Sequence, residues 1–304
     1  MSDPRQQVVA LRNYITDEIF KAIGWSPGGR LRELLEPVFR LPTQRFAEIA
    51  ASFDQRVGQS GFCEAARWVL PCFVKEVEVH NQENIPEKGP LIIASNHPGT
   101  VDSLAIAASL PRNDLKIIAS AIPFIKNLPD TARYLLYTPL PDEVNSRMNV
   151  VRAAIRQLKE GGTVLIFPSG RLDPDPEVLP GADQALNNWS PSLELFLRVV
   201  PQAKLLVAIV SGVLSPECLR HPFTWLRKGS HERQLLAEFI QIIQQMGLAK
   251  RFNLTPQVSF AKPTSIPELL GVENSGDLRQ AIITKARQVL STHLASYTCQ
   301  FERG

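Results

Sequence analysis

The hydrophobic positions change their spacing near residue 74, and that change divides the chain into two parts. From about residue 8 to residue 73 the apolar side chains recur every three or four positions, as they do in amphipathic helices. Breaks at residues 26–29, near Pro42 and at residues 58–61 divide this stretch into four helices. The pattern predicts an N-terminal helical bundle at residues 1–76 and an α/β domain at residues 77–304.

Short apolar runs alternate with helical segments in the second part. The strand patterns lie at residues 77–79, 91–94, 115–119, 163–167, 205–210 and 257–260. The helical patterns lie at residues 145–159, 232–250 and 277–295. Several strand patterns are apolar throughout, which is typical of strands buried on both faces of a parallel sheet. The sequence therefore predicts the α/β class, with a mostly parallel central sheet flanked by helices.

A histidine and an aspartate follow the strand pattern at residues 91–94. His97 lies in the loop after this strand, and Asp102 lies five positions later, where a helical pattern begins. Five positions do not share one face of a helix, so the two side chains meet only if the chain turns at Pro98 and Gly99. A carboxylate on one ring nitrogen would fix the tautomer and leave the other nitrogen as a base. The alternative is an ordinary loop histidine and an aspartate that favours the helix dipole.

A second polar loop follows another strand that is predicted to be buried. Arg171 offers a guanidinium suited to bidentate phosphate recognition, Ser169 can donate a hydrogen bond, and Gly170 permits close approach of the backbone. The alternative is that Arg171 pairs with Asp173 or Asp175 as a structural bridge. Ligands of such sheets bind beyond the carboxyl ends of the strands, so the two loops are expected to form one cleft.

Composition and charge exclude several classes of protein. The 304 residues carry a formal net charge of +3, which is too weak to argue for nucleic acid. The four cysteines lie far apart without zinc-binding spacing, which indicates a reducing compartment. The sequence shows no signal-peptide pattern and no apolar run near the roughly 20 residues that span a bilayer. We therefore expect a cytoplasmic protein, soluble or peripheral to the membrane. It also lacks the motifs of serine hydrolases and of nucleotide-binding enzymes.

Taken together, the two polar loops resemble the motifs of the glycerolipid acyltransferases. His97 and Asp102 resemble the first motif of this family, His-x-x-x-x-Asp. Residues 167–171, Phe-Pro-Ser-Gly-Arg, resemble the third motif, which is usually Phe-Pro-Glu-Gly-Thr-Arg. Residues 206–216 and 260–263 resemble its later strand motifs. The proline-rich loop that carries the third motif and the N-terminal helices look most similar to those of the soluble glycerol-3-phosphate acyltransferases of plastids.

This resemblance implies an activity and a set of site residues. A fatty acyl group would pass from an acyl thioester, either acyl-CoA or acyl-carrier protein, to the hydroxyl of glycerol-3-phosphate or lysophosphatidate in phospholipid synthesis. His97 would act as the general base, and Asp102 would orient it. Ser169, Gly170 and Arg171 would contact the substrate. No metal and no bound cofactor are implied, because the thioester is a co-substrate.

The sequence departs from the family pattern in its third and second motifs. Ser169 stands where the third motif usually has glutamate, and the second-motif region at residues 135–140 contains no basic residue. Arg147 or Lys126 would then help to bind the acceptor's phosphate. These departures keep two alternatives open: an acyltransferase that uses a phosphate-free alcohol or amine, and a non-catalytic lipid-binding homologue.

Basic and aromatic side chains are mixed at residues 220–228, beyond the strand pattern at residues 205–210. Such a mixture is suited to peripheral contact with a membrane interface. The alternative is a solvated loop that buries Trp225.

Overall fold

The computed structural model describes residues 4–24, 30–138, 144–248, 252–271 and 276–301. The strands are β1 (Glu78–His80), β2 (Leu91–Ser95), β3 (Leu115–Ser120), β4 (Leu135–Thr138), β5 (Thr163–Ile166), β6 (Lys204–Ser211) and β7 (Gln257–Phe260). The helices are α1 (Pro4–Ile23), α2 (Arg30–Ser60), α3 (Phe62–Val69), α4 (Asp102–Ser109), α5 (Pro123–Lys126), α6 (Pro129–Ala132), α7 (Val144–Lys159), α8 (Ala182–Ala185), α9 (Ser192–Val199), α10 (Pro216–Leu219), α11 (Ser230–Gly247), α12 (Ile266–Leu270) and α13 (Leu278–Phe301). Short 3₁₀ helices lie at Leu70–Cys72, Gln82–Asn84, Leu186–Asn188 and Pro222–Leu226.

One sheet organises the described part of the chain, with its seven strands in the order β1-β7-β6-β2-β5-β3-β4. Strands β2 to β6 run parallel to one another, β7 is antiparallel to β6, and β1 pairs in parallel with β7. The predicted mostly parallel sheet with flanking helices is therefore confirmed. The carboxyl ends of β2 to β6 meet at one edge, where ligands of such sheets bind.

The central strands are buried on both faces because helices cover both sides of the sheet. Leu91 and Ile93 of β2 pack with residues of α3, α4 and α11. Ile92 and Ala94 of the same strand pack with residues of α7, α9 and α13. Successive side chains of a strand point to opposite faces, so a continuous apolar run fits a strand that is covered on both sides.

The N-terminal region differs from the predicted four helices in one respect. The expected break near Pro42 is wrong, because α2 continues through both Pro37 and Pro42. A proline inside a helix costs about 3 kcal/mol, and tertiary packing offsets this cost. Phe46 packs on Phe73, with ring centroids 6.0 Å apart, and the C-terminal half of α2 joins the main core. The predicted break at residues 26–29 lies outside the described residues.

The N-terminal helices pack directly on the α/β part. Phe53, Val57 and Phe62 belong to the same hydrophobic cluster as residues of the sheet. The Arg45 guanidinium donates a hydrogen bond of 2.6 Å to the Met246 carbonyl oxygen at the end of α11. This shared core fixes the position of α11, which also packs against the loops at the carboxyl edge of the sheet. The domain boundary between residues 76 and 77 stays a prediction.

Candidate active site

His97 and Asp102 are in contact just beyond the carboxyl end of β2. His97 Nδ1 lies 2.7 Å from Asp102 Oδ2, and the Gly99 N–H donates to the same oxygen at 3.1 Å. The predicted turn is thus present, and the carboxylate stabilises it. Asp102 is fully buried, whereas 31% of the His97 side chain is exposed. The carboxylate favours the tautomer with a proton on Nδ1, and Nε2 makes no hydrogen bond with any described residue.

The loop that carries His97 is held in place by its neighbours. Asn96 continues the pairing of β2 with β6 through its side chain. Its Nδ2 donates to the Val210 carbonyl at 2.8 Å, and the Val210 N–H donates to its Oδ1 at 2.8 Å. Gly99 packs so closely that a Cβ there would lie 3.1 Å from Val213 Cγ2 and 3.3 Å from Glu238 Oε1. A larger residue at this position would therefore push the histidine loop away from α11.

The loop after β5 wraps around the same histidine. The Phe167 ring stacks on the imidazole, with centroids 4.4 Å apart. The Asp173 N–H donates to the His97 carbonyl at 2.7 Å, and the His97 N–H donates to Asp173 Oδ2 at 3.0 Å. The structure therefore brings the two predicted polar loops together at one edge of the sheet.

Ser169 and Gly170 shape this second loop. Ser169 Oγ lies 2.8 Å from the Arg171 carbonyl oxygen and 3.0 Å from Asp173 Oδ2, so its single proton is engaged within the protein. Contact of Ser169 with a substrate stays a prediction. Gly170 has a φ of 67°, and no described atom lies within 4 Å of its Cβ position. Its left-handed backbone, rather than a close approach of protein groups, explains the glycine.

The three predicted basic residues are placed differently. Arg171 is exposed, and its guanidinium makes no ion pair with any described residue. The alternative of a bridge to Asp173 or Asp175 is wrong, because both aspartates are buried and accept backbone N–H groups. Lys126 is exposed at the end of α5, beyond the carboxyl end of β3. Arg147 belongs to α7, but its side chain lies outside the described residues.

Helix α11 contributes buried polar residues that the sequence reasoning missed. Gln234 Nε2 donates to the carbonyl oxygens of Pro98 and Asp173, each at 2.8 Å, and so ties both loops to the helix. The Thr100 hydroxyl donates to Glu238 Oε2 at 2.7 Å. Gln234 and Glu238 are four positions apart and share one helix face. Polar residues at helical spacing within an apolar stripe were the signal available in the sequence.

Three carboxyl groups determine the proton affinity of His97. Burial lowers the pKa of His97, but Asp102, Glu238 and Asp173 together raise it to about 9. Burial raises the pKa of Glu238 to about 7 and that of Asp173 to about 6, against the effect of their hydrogen bonds. Asp173 Oδ1 and Glu238 Oε1 are buried without a hydrogen-bond partner among the described atoms. The three carboxyl groups therefore favour the imidazolium, and the site is a stronger base than free imidazole.

We expect Glu238→Gln to lower the pKa of His97. The neutral amide removes a negative charge that favours the imidazolium, while its oxygen still accepts from the Thr100 hydroxyl. Glu238 has a pKa of about 7, so it is ionised in the pH range where His97 titrates. The measurement is the NMR titration of the His97 ring, assigned by comparison with His97→Gln.

Glu232→Gln is the matched control for this prediction. It removes the same charge from an exposed position in the first turn of α11 and should leave the His97 titration unchanged. A titration that is equally unaffected by Glu238→Gln would show that Glu238 exerts no electrostatic influence on the imidazole.

One open cavity lies away from His97. A cavity of about 450 Å³ is lined by Asp114, Leu115 and Gly162, at the amino ends of β3 and β5. It is therefore at the edge of the sheet opposite His97. Among the described residues, no group of three histidine, cysteine, aspartate or glutamate side chains is arranged to hold a metal ion.

Comparisons with known proteins agree with the motifs. Residues 76–190 match the family model described as Acyltransferase, and this range contains His97, Asp102 and the loop after β5. The 1-acyl-sn-glycerol-3-phosphate acyltransferase of Bacillus subtilis (strain 168) is 29% identical over 109 residues. That match covers 36% of this chain and 55% of the relative, so the chain spans about half the length of this curated protein. The crystal structure of the 1-acyl-sn-glycerophosphate (LPA) acyltransferase PlsC from Thermotoga maritima covers 94% of this chain and 97% of its own, at 17% identity and a TM-score of 0.44.

The fold and the site first define a class of protein. It is an α/β protein with a mostly parallel sheet and a His–Asp pair beyond the carboxyl ends of its strands. The match of residues 76–190 then makes the assignment narrower. This match supports the predicted resemblance to the glycerolipid acyltransferase superfamily over residues 76–190.

Proposed function

We propose that this protein is an O-acyltransferase that moves a fatty acyl group from an acyl thioester to the free hydroxyl of lysophosphatidate. One observation carries the proposal: His97 is partly exposed, bonded to the buried Asp102 through Nδ1, and free at Nε2 among the described residues. This is the arrangement of a general base whose tautomer is fixed. The name of the Bacillus subtilis relative supports lysophosphatidate rather than glycerol-3-phosphate as the acceptor.

In the proposed reaction, His97 Nε2 accepts the proton of the acceptor hydroxyl. The hydroxyl oxygen attacks the thioester carbonyl carbon, so a C–O bond forms and the C–S bond breaks. The imidazolium then gives its proton to the departing thiolate, which leaves an ester, a free thiol and a neutral histidine. Asp102 stabilises the imidazolium between these steps. The donor is acyl-CoA or acyl-carrier protein, and no protein nucleophile is required.

Arg171 is the residue we assign to the acceptor's phosphate. Its loop is bonded to the His97 backbone through Asp173, and its guanidinium is exposed without an ion-pair partner among the described residues. A planar fork of this kind suits a phosphate group. Lys126 and Arg147 are weaker assignments, supported only by their place on elements that follow the carboxyl ends of β3 and β4.

We expect Arg171→Gln to raise the KM for lysophosphatidate by about 10- to 100-fold, because hydrogen bonds to charged groups contribute about 1.5–3 kcal/mol. The KM for the thioester should stay unchanged. Steady-state kinetics with each substrate varied in turn provide the measurement. Arg156→Gln is the control, because Arg156 is exposed near the C-terminal end of α7, at the opposite edge of the sheet. An unchanged acceptor KM in Arg171→Gln would remove Arg171 from the phosphate site.

The proposed function is tested with purified protein and radiolabelled palmitoyl thioesters of CoA and of carrier protein. Lysophosphatidate, glycerol-3-phosphate and phosphate-free monoacylglycerol serve as parallel acceptors. Transfer to lysophosphatidate is the expected result. Transfer to only one of the other acceptors would keep the reaction and replace the substrate. No transfer to any acceptor would contradict the enzymatic role and favour a lipid-binding homologue.

A further inference from the structure

Three large apolar side chains are exposed on the 3₁₀ helix Pro222–Leu226. Phe223, Trp225 and Leu226 expose 61%, 71% and 59% of their surface. The alternative of a buried Trp225 is therefore wrong. Apolar side chains exposed together on one short segment are characteristic of a surface that meets a partner or a membrane.

The 3₁₀ helix is anchored, so these side chains are held outward. Thr224 is fully buried, and its hydroxyl lies within hydrogen-bond distance of the Leu219 and His221 carbonyl oxygens, at 3.0 and 2.8 Å. Arg227 donates to the Ala22 carbonyl at the end of α1, at 2.7 Å. A turn fixed on both sides presents its apolar residues as a rigid projection rather than a loose loop.

The charged residues within this segment are all basic, and Glu217 and Glu232 flank it. Residues 219–231 contain two arginines and one lysine but no aspartate or glutamate. Arg220 and Lys228 are exposed on either side of the apolar side chains. Tryptophan is enriched at the membrane–water interface, and arginine and lysine are attracted to anionic headgroups. A single five-residue turn also offers much less area than the roughly 800 Å² that each partner buries in a stable protein interface. Its size therefore favours a membrane over a protein as the partner.

The projection lies at the edge of the sheet that carries His97. Strand β6 runs parallel to β2, so the segment after Ser211 leaves the sheet at the carboxyl edge. The same segment leads through the 3₁₀ helix into α11, whose Gln234 bonds to both active-site loops. Within the described ranges, no helix has the length and apolar character needed to cross a membrane.

We propose that residues 220–228 form a docking surface for an anionic lipid bilayer. Phe223, Trp225 and Leu226 insert at the interface, and Arg220 and Lys228 bind the headgroups. The proposal rests on the proposed function, because docking at this edge would bring the His97 site to a lipid acceptor held in the membrane.

The test is co-sedimentation of the full chain with vesicles of phosphatidylcholine alone and of phosphatidylcholine with phosphatidylglycerol. Binding should be stronger to the anionic vesicles. The double variant Phe223→Ser/Trp225→Ser should bind at least about tenfold more weakly, since it removes two large apolar anchors. The double variant Arg220→Gln/Lys228→Gln should lose the preference for anionic vesicles. Leu248→Ser is the control, because Leu248 is 76% exposed at the C-terminal end of α11.

Acyl transfer to a short-chain lysophosphatidate below its micellar concentration separates this proposal from the proposed function. The Phe223→Ser/Trp225→Ser variant should retain full transfer to this soluble acceptor. If the parent protein transferred no acyl group to this soluble acceptor, the proposed function would be refuted. Equal vesicle binding by parent and variant, with transfer intact, would overturn the docking proposal alone. A variant that keeps vesicle binding but no longer binds acyl-carrier protein would show that the surface recognises a protein instead.

Discussion

His97→Gln is expected to reduce acyl transfer by about 10²- to 10⁴-fold, which is the usual contribution of a general base. Glutamine is polar and of similar size, but its amide cannot take up a proton near neutral pH. The substitution also removes the ring partner of the buried Asp102 carboxylate and the stacking on Phe167, so a lower Tm is expected as well. The measurements are kcat/KM with a soluble lysophosphatidate and the Tm of each protein.

His231→Gln is the matched control, since His231 is exposed in the first turn of α11 and belongs to neither active-site loop. It should retain the parent's kcat/KM. If folded His97→Gln keeps more than a small fraction of the parent's rate, then His97 is not the base.

The central strands could be predicted because their residues are apolar throughout. Strands β2, β5 and β6 were each identified from such a run, and all three are buried. Strand β4 was missed, since Leu135–Thr138 is a four-residue edge strand that is only half-buried. Its pattern is too short to distinguish from the short helices that precede it. The helix break predicted near Pro42 was wrong for another reason. Long-range packing of α2 offset the local tendency of proline to end a helix.

The contact between His97 and Asp102 could be predicted because it is local and depends on one turn. The role of Asp173 was not predicted, although its position in the second loop was noted. Its carboxylate bonds to a backbone N–H 76 positions earlier. Glu238 lies 138 positions from its partner Thr100. Neither partner follows from spacing: the first depends on the pairing of β2 with β5, and the second on how α11 packs across the carboxyl edge of the sheet.

Asp175 illustrates how buried carboxylates organise this edge. It was considered as a partner for Arg171, but it is fully buried and accepts the N–H groups of Gly212, Val213 and Leu214. Those residues follow β6, whereas Asp175 follows β5. Asp173 links the loops after β2 and β5 in the same way. The side chains left free for chemistry, His97 and Arg171, are therefore presented by loops that carboxylates hold together.

Asp102→Asn is expected to lower acyl transfer by about 10³- to 10⁴-fold, close to the effect of removing the orienting carboxylate in serine protease triads. Asp102 acts only as an acceptor: His97 Nδ1 and the Gly99 N–H bond to Oδ2, and the Ser103 N–H bonds to Oδ1. An asparagine must place its NH₂ group against one of these donors, or force the imidazole into the other tautomer. The kcat/KM and the His97 titration are the two measurements.

The two measurements distinguish orientation from proton affinity. Asp102→Asn and Glu238→Gln both remove a negative charge that raises the pKa of His97, so both should lower it. Only Asp102→Asn also removes the group that fixes the ring, so only this variant should lose most of its rate. Asp183→Asn is the control, because it breaks one exposed ion pair with Arg287, worth at most about 1 kcal/mol. If Glu238→Gln reduced the rate as much as Asp102→Asn, the carboxylates would act on the rate through the pKa of His97 rather than through the orientation of its ring.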